Sequence, residues 1–342
     1  MVARDHKEPD LQSLSLSDMR KLARRNTPPE AWEHIMGAAE SRATYRRNQA
    51  VLRKILFRQR IFHDVVDPDT SVELFGRRLP SPIAVAPVGS FGKIHEGGDR
   101  EVAAGAGATG AMVFISHAAS SGPRDWAEAA SSPLVFMGYL NRGKEAVLAY
   151  ARLAEELGYA AVGLTMDTIQ PVKIGDHVAL QADGAPRQGR PSSPKDIEWL
   201  KGMVSLPVVV KGIMGSEDAR VAVEAGADCI VVSNHGGRIL DSNRAAAEAL
   251  GEVVGAVGKR VPVLMDSGVR RGADVVKVLA LGARAVLVGR PICWGLAAGG
   301  AAGVERALRI LDEELKRALI MTGTPALAGV TRSILITGGA GI

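Results

Sequence analysis

The sequence contains few cysteines and few aromatic residues, and it has no long uncharged hydrophobic segment. Among its 342 residues there are 2 cysteines, and Phe, Trp and Tyr together make up 4%. Two cysteines without a paired His or Cys spacing exclude a zinc-finger type of site and a disulfide framework. No apolar run reaches about 18 residues without a charge, and the first residues are polar, so neither a membrane span nor a secretory signal is expected. We therefore predict a cytoplasmic protein that binds no metal.

Positive charge is concentrated near the N-terminus. Residues 1–61 hold 13 Lys or Arg against 7 Asp or Glu, whereas the net charge of the whole chain is +5. The basic pairs Arg24-Arg25, Arg46-Arg47 and Arg53-Lys54 are not interleaved with aromatic residues that would stack on bases. We interpret them as the solvated face of helices, and we expect a small-molecule ligand and no nucleic acid.

From about residue 80 onward, short β-branched apolar runs alternate with Ala-rich stretches of helical period, a pattern typical of repeated βα units. Eight runs in about 250 residues predict an α/β protein with a (β/α)8 TIM barrel. A doubly wound open sheet fits less well, because no G-x-G-x-x-G follows the first run. The eight predicted strands are Ile83–Ala86, Met112–Ile115, Leu134–Met137, Ala161–Thr165, Pro207–Val210, Cys229–Val232, Pro262–Met265 and Ala285–Val288.

Three regions are predicted along the chain. Residues 1–79 form an N-terminal helical cap on the barrel, with Ser17 as an N-cap and Pro28-Pro29 opening a second helix. Residues 80–335 form the barrel, and residues 336–342 are a small-residue tail. Within the barrel, Thr168 to Pro194 is the one long excursion between strands, and its Gly, Pro and Ser content predicts a mobile loop over the barrel mouth.

Chemically active residues follow almost every predicted strand. Because the active site of a barrel is built at the C-terminal ends of its strands, these residues are expected to converge. They are Pro87-Val88-Gly89, Ser116-His117, Tyr139, Thr165 with Asp167, Lys211, Asn234-His235 through Arg238, Asp266-Ser267-Gly268 and Gly289-Arg290.

The last two strands lead into helices through MDSGVRRG (265–272) and VGRP (288–291). Backbone N–H groups at two helix starts, with Arg270 and Arg290 nearby, predict a phosphate site. Alternatively, the glycines serve only the strand-to-helix turns. Lys211 ends an apolar strand at the barrel mouth and needs an anionic partner there, which a reduced flavin would supply.

The segment VVSNHGGRILD (231–241) ends an apolar run with His235, two glycines and Arg238. A histidine exchanges a proton near neutral pH, and an arginine grips a carboxylate through two parallel hydrogen bonds. The other interpretation is a Gly-rich turn with a solvated His and Arg.

With these residues in view, the chain resembles the FMN-dependent 2-hydroxy-acid oxidase and dehydrogenase family, which includes glycolate oxidase, lactate oxidase and mandelate dehydrogenase. The resemblance runs from about residue 17 to 335. The motifs that carry it are SNHGGRILD (233–241), VVVKGI (208–213), DSGVRRGADVVKVLALGA (266–283), GRP (289–291), IAVAP (83–87) and ILFRQRI (55–61).

The resemblance implies an enzyme in which FMN accepts electrons from a 2-hydroxy acid and a 2-oxo acid forms. It implies that His235 takes the substrate proton, that Asp167 pairs with it, and that Tyr139 hydrogen-bonds the substrate near the reacting oxygen. Arg238 would hold the substrate carboxylate, with His34, His117 and Lys173 also near the substrate. The implied FMN-binding residues are Pro87, Val88, Gly89, Ser116, Met137, Thr165, Lys211, Ser233, Asp266, Gly268, Arg270, Gly289 and Arg290. A homo-oligomer, tetrameric or larger, is implied as well.

The chain departs from the family pattern around the substrate. His34 stands where the family usually has a Tyr, His117 where it has another aromatic residue, and Met137 where it has a Gln. The second carboxylate-binding Arg is missing from residues 167–177, where Lys173 is the nearby cation. Either Lys173, Arg187 or Arg190 replaces it, or the substrate has an additional anionic group or an amine. A non-redox phosphate-binding barrel is the third hypothesis, and the two histidines alternatively only fill space.

Overall fold

The computed structural model describes residues 10–178 and 189–336, and its centre is a closed barrel of eight parallel strands. Each strand pairs with the next along the chain, and the eighth pairs with the first. All eight predicted strands are present, with small shifts at their ends. The strands, β1 to β8, are Ile83–Val85, Val113–Ser116, Leu134–Gly138, Ala161–Thr165, Val208–Ile213, Cys229–Val232, Val263–Met265 and Ala285–Val288.

Eleven α-helices lie in the described ranges, three before the barrel and one after each barrel strand. They are α1 to α11: Leu16–Asn26, Pro29–Met36, Ala43–Lys54, Gly98–Gly107, Pro123–Ala129, Lys144–Glu156, Pro194–Met203, Ser216–Glu224, Ala246–Val257, Gly272–Ala280 and Arg290–Met321. The last of them is interrupted by non-helical backbone at Gly299 and Gly300. None of the helices in the described ranges has the length and apolar content needed to cross a membrane.

The N-terminal segment differs from the prediction in two details. Ser15, not Ser17, caps α1, because its hydroxyl accepts from the Asp18 N–H while Asp18 returns a bond to the Ser15 N–H, a reciprocal capping box. The helices end at Lys54, and residues 72–79 form an antiparallel hairpin of Val72–Leu74 with Arg77–Leu79. Two further short pairs are Leu56–Phe57 with Leu335–Ile336 and Lys173–Ile174 with His177–Val178.

The barrel is filled by side chains. Successive strand residues point alternately inward and outward, so that Phe114, Val209 and Leu264 belong to the inner cluster, whereas Val113 and Val210 belong to the outer one that includes helix residues. Val72, Leu74 and Leu79 of the hairpin join the inner cluster. Because the interior is packed, a ligand can bind only above it, at the ends of the strands.

Candidate active site

A cavity of about 970 Å³ lies at the C-terminal ends of the barrel strands. This volume is at the upper end of the range for small-molecule sites. Residues at or after the C-terminal ends of all eight strands line it, with Lys211 lying within β5, and α2 contributes His34 and Ile35, so the strand ends converge on one cavity. The predicted site residues in its wall are His34, Pro87, Val88, Gly89, Ser116, His117, Tyr139, Lys211, His235, Arg238, Asp266, Gly268, Arg270, Gly289 and Arg290.

Three other predicted residues lie just behind this wall. Asp167 contacts His235, and the Ser233 hydroxyl accepts hydrogen bonds from the Lys211 ammonium and from the His235 N–H. Thr165 at the end of β4 is 3% exposed, and its hydroxyl has no hydrogen-bond partner among the described residues. A buried hydroxyl without a partner is costly, so this side chain fits a ligand above β4.

Two further predicted residues are neither in the cavity wall nor directly behind it. Met137 is fully buried in the barrel interior, where its sulfur occupies the space left free by Gly163 on the neighbouring strand. Lys173 points its ammonium to Glu40, with 2.8 Å between Nζ and Oε1. The sequence could not show these two partners, because Gly163 and Glu40 lie far from them along the chain.

His235 and Asp167 form a nearly buried pair. Asp167 Oδ1 and Oδ2 are 3.0 and 3.2 Å from His235 Nδ1, which leaves the other ring nitrogen for the cavity. Burial alone would raise the pKa of Asp167, but the charge and hydrogen bond of His235, with the charge of Lys211, lower it below its usual value. A carboxylate that stays ionised orients the imidazole and stabilises its protonated form. The pair is therefore suited to accept a proton from a ligand in the cavity.

The backbone of this loop is left-handed at three successive residues, with φ of 56° at His235, 67° at Gly236 and 77° at Gly237. Glycine adopts this conformation without strain, which explains the two glycines, but histidine does not. The strained His235 is held by neighbours, a feature frequent at functional sites.

Helix α3 holds the loop in place. Asn48 and Asn234, both buried, exchange two hydrogen bonds through their side-chain amides, at 2.9 and 2.8 Å. The Asn234 carbonyl also accepts from the Gly237 N–H, and Asp241 accepts from the Thr44 N–H at the start of α3. Sequence analysis missed Asn48, because nothing in its local pattern indicates a partner 186 residues away.

Lys211 has a protein partner that the sequence analysis did not identify. Its Nζ lies 3.1 Å from Asp266 Oδ2 and 2.8 Å from Ser233 Oγ, so the predicted need for an anion is met by Asp266 as well as by any ligand. Burial alone would lower the pKa of Lys211, but the charges of Asp266 and Asp167 raise it. Lys211 is therefore a fixed positive charge at the bottom of the cavity.

Three arginines form a cluster on one side of the cavity. Arg238 donates to the carbonyls of His34 and Gly37 at the end of α2, and Arg290 donates to those of Ile35, Gly37 and Gly236. Burial, followed by the charges of Arg270 and Arg238, lowers the pKa of Arg290. The carbonyl groups at the C-terminal end of α2 carry partial negative charge, which offsets part of the repulsion among the three arginines.

Arg270 provides the clearest indication of what this cluster binds. Its Nε and Nη2 are buried and form no hydrogen bond with any described residue. Buried guanidinium donors without a partner, among like charges, fit a doubly charged anion such as a phosphate. The predicted phosphate site between β7 and β8 therefore has suitable donors.

The whole cavity favours anions. Counting the residues that the structure describes, its wall carries six cationic side chains and one carboxylate, that of Asp266. The cations are Lys93, Arg142, Lys211, Arg238, Arg270 and Arg290. Lys93 and Arg142 were not identified from the sequence, although Arg142 follows Tyr139 closely in the same strand-end loop. Within residues 10–178 and 189–336, no three His, Cys, Asp or Glu side chains are grouped so that they could hold a metal ion.

Arg190, another candidate for the missing arginine, is not in the cavity wall. Arg190 forms a two-point ion pair with Asp196, at 2.9 and 3.2 Å. Arg187 lies outside the described residues, as does most of the predicted tail, 337–342. The described part of the mouth loop contributes Thr168 and Gln170 to Val172 to the wall, and its mobility stays a prediction.

His117 is buried beside the cavity, with Phe136 and Tyr150 against its ring. Burial, followed by the charge of Arg142, lowers the pKa of His117 from 6.5 to about 4. The ring is therefore neutral at pH 7 and acts as a hydrogen-bonding aromatic group.

This lowered pKa predicts an acid-sensitive contribution to stability. The unfolded chain takes up the His117 proton near pH 6.5 and the folded chain only near pH 4, so the folded protein loses stability between these values. At pH 5 the loss is about 2 kcal/mol. Chemical denaturation from pH 7 to pH 4 should show this loss in the wild type and not in His117→Phe. Parallel pH profiles of the two proteins would contradict the prediction.

Sequence comparisons agree with this geometry. The model of the family described as FMN-dependent dehydrogenase matches residues 23–184 and 175–337. A peroxisomal (S)-2-hydroxy-acid oxidase of Oryza sativa subsp. japonica is 38% identical, and the match covers 95% of this chain and 96% of that protein. Glycolate oxidase 1 of Zea mays is 35% identical, with 94% and 95% covered.

Solved structures are similar over almost the whole chain. A mandelate oxidase variant with (S)-mandelic acid has a TM-score of 0.87 and 35% identity, covering 94% of this chain and 97% of that one. A flavocytochrome b2 variant with pyruvate bound has a TM-score of 0.90 and 30% identity, covering 97% and 89%. The similarity therefore includes the N-terminal helices as well as the barrel.

Proposed function

Because this chain belongs to the FMN-dependent dehydrogenase family, we propose that it oxidises a 2-hydroxy acid to the 2-oxo acid with FMN as the cofactor. The observation that carries this proposal is the His235–Asp167 pair, which opens into the same cavity as Arg238 and the Arg270–Arg290 phosphate site. A proton acceptor, a carboxylate-binding group and a phosphate site together fit a hydroxy acid and a phosphorylated cofactor.

The residues of the cavity fit FMN. Arg270, Arg290, Gly268 and Gly289 would hold the phosphate, which the buried, unbonded Arg270 nitrogens support. The flavin ring of FMN would lie near Lys211 and near the Thr165 hydroxyl, which has no partner among the described residues. Pro87, Val88, Gly89 and Ser116 would lie beside this ring. When bound, FMN supplies the acceptor for two electrons. Ser233 and Asp266 support Lys211 from behind, and Met137 lies in the barrel below.

The protein's own groups bind and orient the substrate and move its proton. Arg238 binds the substrate carboxylate, and the Tyr139 hydroxyl hydrogen-bonds the oxygen at the reacting carbon. His235 accepts a proton from the substrate, and Asp167 stabilises the resulting imidazolium. In total the acid loses two electrons and two protons, one proton to His235 and the other together with the two electrons to the acceptor, and it leaves as the 2-oxo acid. His34 closes the substrate side, where its Nε2 lies 3.4 Å from the Gly89 carbonyl oxygen.

Anaerobic mixing with a panel of 2-hydroxy acids tests this function. The flavin of the purified holoprotein should bleach with at least one of them, and an equal amount of 2-oxo acid should form. A protein that takes up no FMN would instead favour the non-redox barrel. Admission of oxygen after bleaching then identifies the electron acceptor class.

A substitution at Arg270 tests the phosphate site. Arg270→Met should weaken FMN binding by about 30-fold, because a charge-assisted hydrogen bond contributes about 2 kcal/mol. Riboflavin, which lacks the phosphate, should bind the variant and the wild type equally. The control is Arg271→Met next to it, since Arg271 is exposed and pairs with Glu314. An equal loss of affinity for FMN and riboflavin would contradict a phosphate role.

We also propose an oligomeric state and a cellular location for the protein. A homo-oligomer, tetrameric or larger, is supported by exposed apolar side chains close together in the chain, Ile61, Phe62 and Val66, of which Phe62 is 91% exposed. The mass of the protein in solution tests this. A cytoplasmic location stays a prediction that cell fractionation tests, since the rice relative is named as peroxisomal.

A further inference from the structure

The cavity wall contains two basic residues that do not belong to the arginine cluster. Lys93 follows β1 and Arg142 follows β3, and both line the cavity wall together with Ser120, Asn141 and His117. We call Lys93 and Arg142 the outer basic pair. Neither side chain forms an ion pair within the described residues. The mechanism described above uses neither of them.

Each of the other cations in the cavity wall has a counter-charge, or would gain one when FMN and the substrate bind. The Lys211 charge is balanced by Asp266, at 3.1 Å. An FMN phosphate, with a charge of about −2 at neutral pH, would balance Arg270 and Arg290. The substrate carboxylate would balance Arg238. Among the described residues, the outer basic pair then has no counter-charge, because the carboxylate of Asp266 is already paired with Lys211.

The surroundings of the pair favour an anion that arrives with the substrate. His117 beside Arg142 is buried and neutral at pH 7, so it offers a hydrogen bond without adding charge. Ser120 lines the same cavity, and its oxygen accepts a hydrogen bond from the Gly92 N–H, so its hydroxyl can still donate. Lys93 and Arg142 are themselves exposed, but both line a concave cavity, and a cleft lined mainly by charges of one sign attracts an anion more strongly than the same charges on an open surface.

We propose that the substrate is a 2-hydroxy acid with a second carboxylate at its far end, and that Arg142 and Lys93 bind this second carboxylate. The first carboxylate is then held by Arg238, on the opposite side of the reacting carbon. This inference rests on the proposed function. It also explains how the chain can lack the family's second carboxylate-binding arginine, because affinity lost at the first carboxylate is recovered at the second carboxylate.

A matched pair of substrates tests the proposal. A 2-hydroxy dicarboxylic acid and a 2-hydroxy monocarboxylic acid of equal chain length are compared by kcat/KM for anaerobic flavin reduction. The wild-type holoenzyme should prefer the dicarboxylic acid, and Arg142→Gln should lower the ratio of the two kcat/KM values by about 10-fold. Lys93→Gln should lower the ratio in the same direction. The control Arg152→Gln, an exposed residue of α6 outside the cavity wall, should leave the ratio unchanged.

A binding measurement separates this proposal from the proposed function. The dissociation constant of the corresponding dicarboxylate without the hydroxyl group is measured by calorimetry on the holoprotein. Binding that weakens about 10-fold in Arg142→Gln supports the outer basic pair even if no hydroxy acid bleaches the flavin. The proposal is overturned if the wild type does not prefer the dicarboxylic acid, or if neither substitution changes the ratio of the two kcat/KM values. In either case, bleaching by monocarboxylic acids would leave the proposed function intact.

Discussion

Replacing His235 by Gln is expected to lower the rate of flavin reduction by the substrate about 1000-fold or more, while FMN stays bound. Gln has a similar size but cannot accept a proton, and a positioned general base contributes on the order of 100-fold to 10,000-fold. The Asp167 carboxylate would in addition lose the cation that it stabilises. The measurement is anaerobic stopped-flow reduction, with FMN content determined on the same sample.

The control for this prediction is His63→Gln, because His63 lies outside the cavity wall. That variant should reduce its flavin at the wild-type rate. Reduction by His235→Gln within tenfold of the wild type would show that another group takes the proton. Loss of FMN from the variant would show that His235 acts mainly on the loop structure.

The second large effect is expected at Arg238. Arg238→Met should lower kcat/KM for the substrate by roughly 150-fold, or about 3 kcal/mol, because a partly buried charge that pairs with a carboxylate is removed. Most of this should be seen as a higher KM, since the proton acceptor is unchanged. Arg238→Lys should fall between the two, because an ammonium keeps the charge but not the two-point geometry.

Arg238 also donates to the His34 and Gly37 carbonyls, so the Met variant requires a stability measurement beside the kinetics. A KM unchanged in a folded variant would assign the substrate carboxylate to another cation. If Arg142→Gln then raised KM for monocarboxylic acids, the orientation of the substrate proposed above would be reversed.

Periodicity predicted the elements that hold the site. The eight apolar runs became the eight barrel strands because each is covered on both sides, a pattern that depends only on local sequence. The residues after the runs meet because parallel strands end at the same side of a barrel. The sequence alone therefore predicts that one cavity contains His235, Arg238 and Lys211.

Partners across the chain could not be predicted in this way. Lys211 pairs with Asp266, Asn234 with Asn48, and Lys173 with Glu40, and each pair joins residues from separate elements. Lys173 was expected in the substrate site because it is the cation nearest to Asp167 in sequence. The backbone of the mouth loop instead places it beside the N-terminal segment, where its N–H also donates to the Arg238 carbonyl.

The central claim is that the His235–Asp167 cavity oxidises a 2-hydroxy acid with FMN. The most direct test is a single anaerobic turnover, in which the purified holoprotein is mixed with one equivalent of a 2-hydroxy acid that it accepts. One molecule of 2-oxo acid should form for each FMN reduced in the wild type, and none should form on the same timescale in His235→Gln. Flavin that stays oxidised with every 2-hydroxy acid tested, or reduction without formation of a 2-oxo acid, would contradict it.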